Sequence, residues 1–229
     1  MNMRLNKWIA SQTAFSRRGA DTVIADGRVL VNGKVPSIGQ AVNDGDIVRI
    51  DGHEITMITR PLYIMFNKPI GYVCSRRGQG NPSIYSLLPE SLKHLQPVGR
   101  LDKDSSGLLL MTNDGDWLHK MAHPSNNKNK RYEVDLHKVL DVRDAERIHA
   151  GVNIGDARPS TFQIFGSGRS MRFEVVLSEG RNRQIRRTFE ILGYKVTHLH
   201  RISYDTFNLS DIPATQRYIA FDPAVVPEQ

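Results

Sequence analysis

Beyond residue 61 the chain is punctuated in a way that leaves few folds open. Five apolar runs, LYIMFNKP, GLLLMTNDG, RYEVDL, MRFEVVLS and YKVTHLHRI, are separated by Gly and Pro turns. Each is of strand length, and none approaches the roughly eighteen apolar residues of a membrane span. Between them, DWLHKMA, VRDAERIHA and NRQIRRTFEILG have helical spacing, the last with Ile185, Phe189 and Leu192 on its core face and Gly193 as C-cap. Strands and helices in this mixture predict an α+β domain over 63–229.

The first 58 residues read as a separate, smaller unit, joined to the larger one by a linker at 59–62 (TRPL). Leu5, Trp8 and Ile9 have helical spacing, and Ser16 stands where an N-cap opens a second helix with Ala20, Val23 and Ile24 on one face. Gly27 closes that helix. RVLVNGKV then reads as strand, Asn-Gly turn and strand, followed by a further strand, DIVRI. The tail AVVPEQ is expected to fray.

The formal charge of +7 favours a polyanionic partner without requiring one. Its distribution says more. Arg4, Lys7, Arg17, Arg18, Arg28 and Lys34 face only Asp21 and Asp26 within residues 1 to 34, whereas Arg49 alone faces Asp44, Asp46, Asp51 and Glu54 in the next stretch. A basic footprint therefore sits at the N-terminal end. One cysteine, Cys74, excludes an internal disulfide and a Cys-rich zinc site and fits a reducing compartment; the N-terminus lacks the apolar core of a signal peptide, so cytoplasm is expected. His198 and His200 alternate on a strand and suit packing or surface better than metal. No P-loop, dinucleotide fingerprint or GxSxG elbow is present.

Two stretches concentrate the chemistry. In VGRLDKDSSGLLLMTNDG (98–115), Asp102 lies in a loop between Gly99 and the strand that starts at Gly107, flanked by Arg100 and Lys103. Nearby cations favour the ionised form that a carboxylate nucleophile needs. A turn aspartate bonding its own backbone is the simpler alternative, and for Asp104 nothing suggests more than that. In SEGRNRQIRR (178–187), Arg181, Arg183, Arg186 and Arg187 gather where a strand turns into a helix, a place suited to phosphate or carboxylate. A solvated helix face, with Arg186 paired to Glu190, is the competing view. FNKPIGYVCS (66–75) with Lys68 and KRY (130–132) with Lys130 and Tyr132 are weaker signals, yet a ring beside basic groups suits stacking of an extruded base.

Taken in order, these pieces resemble the pseudouridine synthase family, in the branch typified by RsuA, RluB and RluF, over nearly the whole chain. RLNKWI, FSRRGAD, IADGRVLVNG and DGDIVRIDG look like the alpha-L RNA-binding domain; FNKPIGYVCS, GRLDKDSSGLLLMTNDG and EGRNRQIRR match three motifs of the catalytic domain. The resemblance implies a mixed, mostly antiparallel central sheet crossed by a cleft, and an isomerase acting on ribosomal RNA without metal or other cofactor. It implies Asp102 as the essential carboxylate, Arg181 as its basic partner, Tyr132 as the ring that packs on the target base, and Arg100 as the side chain that fills the gap left by the flipped nucleotide. Lys68, with Pro69, belongs to the motif that supports the site. Together with Arg183, Lys130, Arg4, Lys7, Arg17, Arg18 and Arg28, Arg100 and Lys68 make up the expected RNA-binding set. LDKDS, GYKVTHLHR and NLSDIP look nearest to RluF-like enzymes of large-subunit rRNA, which places the assembling large subunit among the expected partners of a monomer. Thr188 and Ser203 depart from the usual methionine and arginine. A tRNA-directed synthase and a catalytically idle ribosome-assembly protein are the alternatives.

Overall fold

The computed structural model describes residues 2–13, 15–55, 61–166 and 170–223. Residues 59 and 60 of the expected linker, and the tail 224–229, lie outside the described residues.

The N-terminal unit runs β1 (Met3–Arg4), α1 (Leu5–Gln12), α2 (Arg17–Ala25), β2 (Val29–Val31), β3 (Ala41–Val42), β4 (Val48–Ile50) and β5 (His53–Glu54). Local chemistry explains most of it. The Ser16 hydroxyl accepts from Gly19 N–H at 3.0 Å and caps α2. Leu5, Trp8 and Ile9 from α1 meet Ala20, Val23 and Ile24 from α2 over the valines of β2, β3 and β4, forming a core of their own. Asn32 and Gly33 both take positive φ (51° and 77°), as a two-residue hairpin turn demands, and Val31 and Lys34 exchange backbone hydrogen bonds across it. The expected return strand is only that one bridge. Pro36 supplies no N–H to continue the ladder, and β2 pairs instead with β4, Val29↔Ile50 to Val31↔Val48.

The larger unit contains β6 (Tyr63–Lys68), β7 (Gln96–Pro97), β8 (Ser106–Thr112), α3 (Gly115–Ala122), β9 (Lys130–Leu136), α4 (Val142–Ala150), β10 (Gln163–Phe165), β11 (Arg172–Leu177), α5 (Gln184–Ile191), β12 (Val196–Tyr204), β13 (Phe207–Asn208) and β14 (Tyr218–Ala220). Its sheet is ordered β10-β11-β9-β12-β8-β6-β14, with β13 added on β12 and β7 on β8. Only β12 and β8 run parallel, so the sheet is mixed and mostly antiparallel, as expected. One face carries Ile64, Phe66, Leu109, Met111 and Val134 against Ile185 and Phe189 of α5 and Ile148 of α4. On the other, Met65, Leu108 and Leu110 meet Met121, Tyr204 and Phe207. Burial on both faces is why β8 reads as an unbroken apolar run.

Register carries the feature that matters most for function. Lys68 pairs with Gly107, Gly107 with Arg201, Arg201 with Tyr132 and Tyr132 with Val175, a single row across five strands. Glycine is required in the middle of it. Gly107 has φ +102°, and a Cβ there would lie 2.3 Å from the Arg201 carbonyl oxygen. The ladder between β12 and β8 consists of His200↔Ser106 and Arg201↔Gly107. Beyond that point Arg201 donates from Nε to the Leu108 carbonyl at 2.7 Å, bridging the strands where they part.

Candidate active site

Asp102 lies in the loop between β7 and β8, and a buried lysine organises that loop. Lys68, at the end of β6, is 0% exposed and donates from Nζ to the carbonyls of Asp102 (2.9 Å), Ser105 (2.6 Å) and Pro69 (3.1 Å). Gly71 N–H adds a bond to the Lys103 carbonyl at 2.7 Å. The buried Cys74 thiol donates to the Leu101 carbonyl and accepts from its N–H, at 3.3 and 3.5 Å. The segment 68–74 thus grips the loop at 101, 102, 103 and 105. Expected among the RNA contacts, Lys68 cannot be one, because its ammonium is sealed beneath the loop. Burial pushes that ammonium below the usual lysine range, and burial likewise pushes the Cys74 thiol up.

The carboxylate of Asp102 is about one-third exposed, with Arg183 Nη1 3.7 Å from Oδ2. Here the structure corrects the sequence reading: Arg181 does not face Asp102. Arg181 pairs with Asp156 (3.2 Å) and Glu179 (2.8 Å) and donates to the carbonyls of Arg158 and Pro159; Arg187 pairs with Asp156 at 2.6 Å and also donates to the Ile154 and Asn182 carbonyls. Both clamp the 154–159 loop. Arg183 forks onto Asp104 at 3.0 and 3.1 Å, and Arg186 donates to the carbonyls of Asp104 (2.8 Å) and Val196 (3.0 Å). Arg186 is therefore neither solvated nor paired with Glu190, its side chain being only 10% exposed. The exchange of roles has a backbone cause. Arg183 adopts φ +46°, ψ 32°, which starts α5 at Gln184 instead of Asn182 and directs its side chain at the 102–105 loop. A non-glycine residue held in that region stores about 1–2 kcal/mol of strain, a pattern common at functional sites.

Asp104, read from sequence as a turn residue, is the main anion of this cluster. Partial burial pushes its carboxyl up, but the hydrogen bonds from Arg183 and the charges of Arg186 and Arg183 outweigh that and hold it below the usual range. The repeated Asp-x-Asp beside a distant arginine group was the signal available for it. Tyr132 is buried in the five-strand row, its neighbour there being Arg201.

Of the remaining basic candidates, Arg4, Arg17, Arg18 and Arg100 are exposed and make no ion pair among the described residues. Lys7 is engaged by Asp116 at 2.7 Å across the two units, where Gln96 also donates to the Ala10 carbonyl at 3.5 Å. Arg28 is neutralised by two bonds to Asp51, at 2.8 and 2.5 Å. Lys130 turns inward, donating to the carbonyls of Lys128 (2.7 Å) and Ser178 (3.2 Å) with its ammonium 5.0 Å from the Tyr204 ring centroid. It corrects the expectation of a direct RNA contact. Burial, reinforced by the Arg201 charge, pushes its pKa down to about 8. Between that value and the ordinary 10.5 the unfolded chain binds a proton that the folded one does not, so stability rises with pH across this window. Urea unfolding of wild type and Lys130→Met at several pH values from 7.5 to 10.5 is expected to show a wild-type rise that the variant lacks; parallel curves refute it.

Among the described residues no group of three or more His, Cys, Asp or Glu could hold a metal ion, and no helix is long and apolar enough to cross a membrane.

Comparison with known proteins agrees with this geometry. Residues 62–190, more than half of the chain, match the RNA pseudouridylate synthase family model, and residues 3–53 match the S4 domain. The chain is 36% identical over 212 residues to the dual-specificity RNA pseudouridine synthase RluF of Salmonella typhi, spanning 92% of this chain and 73% of that protein. It is 34% identical to ribosomal small subunit pseudouridine synthase A of Vibrio parahaemolyticus, spanning 95% of this chain and 96% of that one. A crystal structure of a pseudouridylate synthase superposes with a TM-score of 0.69 at 29% identity, covering 98% of both chains. With an aspartate loop gripped from below, an arginine group facing it and an S4 domain in front, the chain belongs to the RNA pseudouridylate synthase family.

Proposed function

We propose that this protein converts a uridine of ribosomal RNA, in the large subunit, to pseudouridine. The observation that carries the reading is the Asp102 loop: its backbone is held by a buried lysine while its partly exposed carboxylate faces a guanidinium. A carboxylate so placed can attack C1′ of the ribose, or take the proton from C2′, with the Arg183 guanidinium 3.7 Å away as its counter-charge. The uridine is flipped out against Tyr132, and Arg100 fills the gap it leaves. Residues 63–229 perform the chemistry. Residues 1–58 hold flanking RNA through the exposed Arg4, Arg17 and Arg18, and 59–62 join the two. The protein acts as a cytoplasmic monomer and needs no cofactor. Similarity to a ribosomal large subunit pseudouridine synthase B of Pasteurella multocida (35% identity over 90% of this chain and 63% of that protein) supports the choice of subunit.

The test is to incubate the purified protein with unmodified rRNA of both subunits, with immature particles and with tRNA, and to map carbodiimide adducts by primer extension. A discrete stop in large-subunit RNA is the expected result. A stop confined to small-subunit RNA or tRNA overturns the substrate, and no stop on any RNA overturns the activity in favour of an idle RNA-binding scaffold.

A further inference from the structure

Two buried cations flank Gly107 in the five-strand row, and neither is paired with a carboxylate among the described residues. Lys68 stands on one side and Arg201 on the other, at 0% and 2% exposure. Lys68 is satisfied by its three carbonyls. Arg201 is not. Its Nε reaches the Leu108 carbonyl and its guanidinium lies 5.0 Å from the Tyr204 ring centroid, but Nη2 is buried with no hydrogen-bond partner. Its field helps to push the ammonium groups of Lys130 and Lys68 down. A buried charge without a counter-ion is among the most unfavourable arrangements a fold can hold. It makes physical sense where the opposite charge develops during a reaction.

The row indicates where that charge develops. The Asp102 loop rests on Lys68 at one end, and Tyr132 is the register partner of Arg201 at the other. A uracil ring held between the carboxylate and Tyr132 therefore lies above Arg201. In the isomerisation the C1′–N1 bond breaks with its electron pair passing to N1, while Asp102 either bonds to C1′ or accepts the C2′ proton. The detached ring is then a uracil anion, its charge spread over N1, O2 and O4. After the ring turns, its electrons form the C5–C1′ bond as the carboxylate leaves C1′, or as C2′ regains its proton. One proton departs from C5 and one joins N1, so nothing is gained or lost overall. We infer that Arg201 is the electrostatic partner of this departing uracil anion, a cation set beneath the target base to hold its charge once the C–N bond is broken. The inference rests on the pseudouridine synthase reading above.

The experiment uses the full-length protein, its Arg201→Gln and Arg201→Lys variants, and an RNA bearing either uridine or the more acidic 5-fluorouridine at the target position. Loss of the C1′–N1 bond is followed under single-turnover conditions, with RNA affinity measured alongside. Arg201→Gln is expected to slow uridine about 100- to 1000-fold, the scale of losing one preorganised charge-stabilising group. Its RNA affinity stays within about threefold, as expected of an interaction made chiefly in the transition state. On 5-fluorouridine the deficit shrinks to under about fivefold, because that base carries its own negative charge more easily. Arg201→Lys keeps at least about a fifth of the wild-type rate, since the charge is retained. Slowing by the same factor on both bases, an effect on affinity alone, or Arg201→Lys as slow as Arg201→Gln assigns Arg201 to packing and overturns the inference. Where Arg201→Gln does not fold, Arg201→Lys decides: near wild-type rate with an unchanged base preference supports it, equal slowing on both bases refutes it. A wild type that forms no pseudouridine sinks the parent reading as well, whereas an active wild type with an equally active Arg201→Gln sinks this inference alone.

Discussion

Asp102→Asn is expected to reduce pseudouridine formation by at least about 10³-fold while leaving the protein folded, because activity hangs on a group that stability does not use. The carboxylate is about one-third exposed and, among the described residues, its one ion-pair contact is Arg183 at 3.7 Å. A pair of that kind contributes between about 0 and 1 kcal/mol. Asparagine keeps the shape and leaves in place the bonds that Lys68 makes to the loop carbonyls, since those involve backbone and not the side chain. The thermal midpoint and RNA affinity should therefore match wild type, while the adduct-dependent stop disappears. Turnover close to wild type in the variant ends the assignment of Asp102. A loss accompanied by unfolding shows instead that the loop depends on the charge.

The second large effect runs the opposite way, through the fold. Gly107→Ala places a Cβ 2.3 Å from the Arg201 carbonyl oxygen and 2.7 Å from its nitrogen, at a φ of +102° that side chains rarely adopt. Strain of that φ alone is worth about 1–3 kcal/mol. The clash falls on backbone, which cannot swing aside as a side-chain tip can, and it sits in the two-residue ladder that pairs β12 with β8. A destabilisation above about 4 kcal/mol is expected, a magnitude reached only by core and backbone lesions. Urea unfolding followed by circular dichroism measures it, with Gly115→Ala as the matched control. Gly115 opens α3 with ordinary φ and nothing within 4 Å, so alanine there is expected to be neutral or slightly stabilising. Equal stability of the two variants refutes the role given to Gly107.

What could be read from the sequence was whatever is decided over a few neighbouring residues. Ser16 as a cap, Asn32-Gly33 as a turn, Val142–Ala150 as a helix and the apolar run into Met111 each depend on local chemistry or periodicity, and each stands in the structure. The misplacements share one origin. Arg181 and Arg183 are two residues apart, and composition cannot say which turns toward the aspartate loop; one left-handed backbone conformation decides it. Lys68 and Lys130 look like surface charge until the strands beside them are known, because burying an ammonium depends on carbonyls from segments 34 to 48 residues away. Arg201 carried no local mark at all, and the Asp-x-Asp repeat at Asp104 gave no partner for its carboxylate. Their surroundings come from register and long-range pairing, which a linear pattern does not encode.

The cysteine beneath the loop has a practical side. Cys74 is the chain's one thiol, it is buried, and both of its bonds go to Leu101, the residue before the aspartate. Labelling by a thiol reagent is expected to require that strip of backbone to lift, so its rate is expected to report the opening of the Asp102 loop. Binding of the RNA proposed to pack over the Asp102 loop is expected to slow the labelling. The protein thus carries, already in place and without any added dye or engineered residue, a chemical readout of how often the Asp102 loop comes apart.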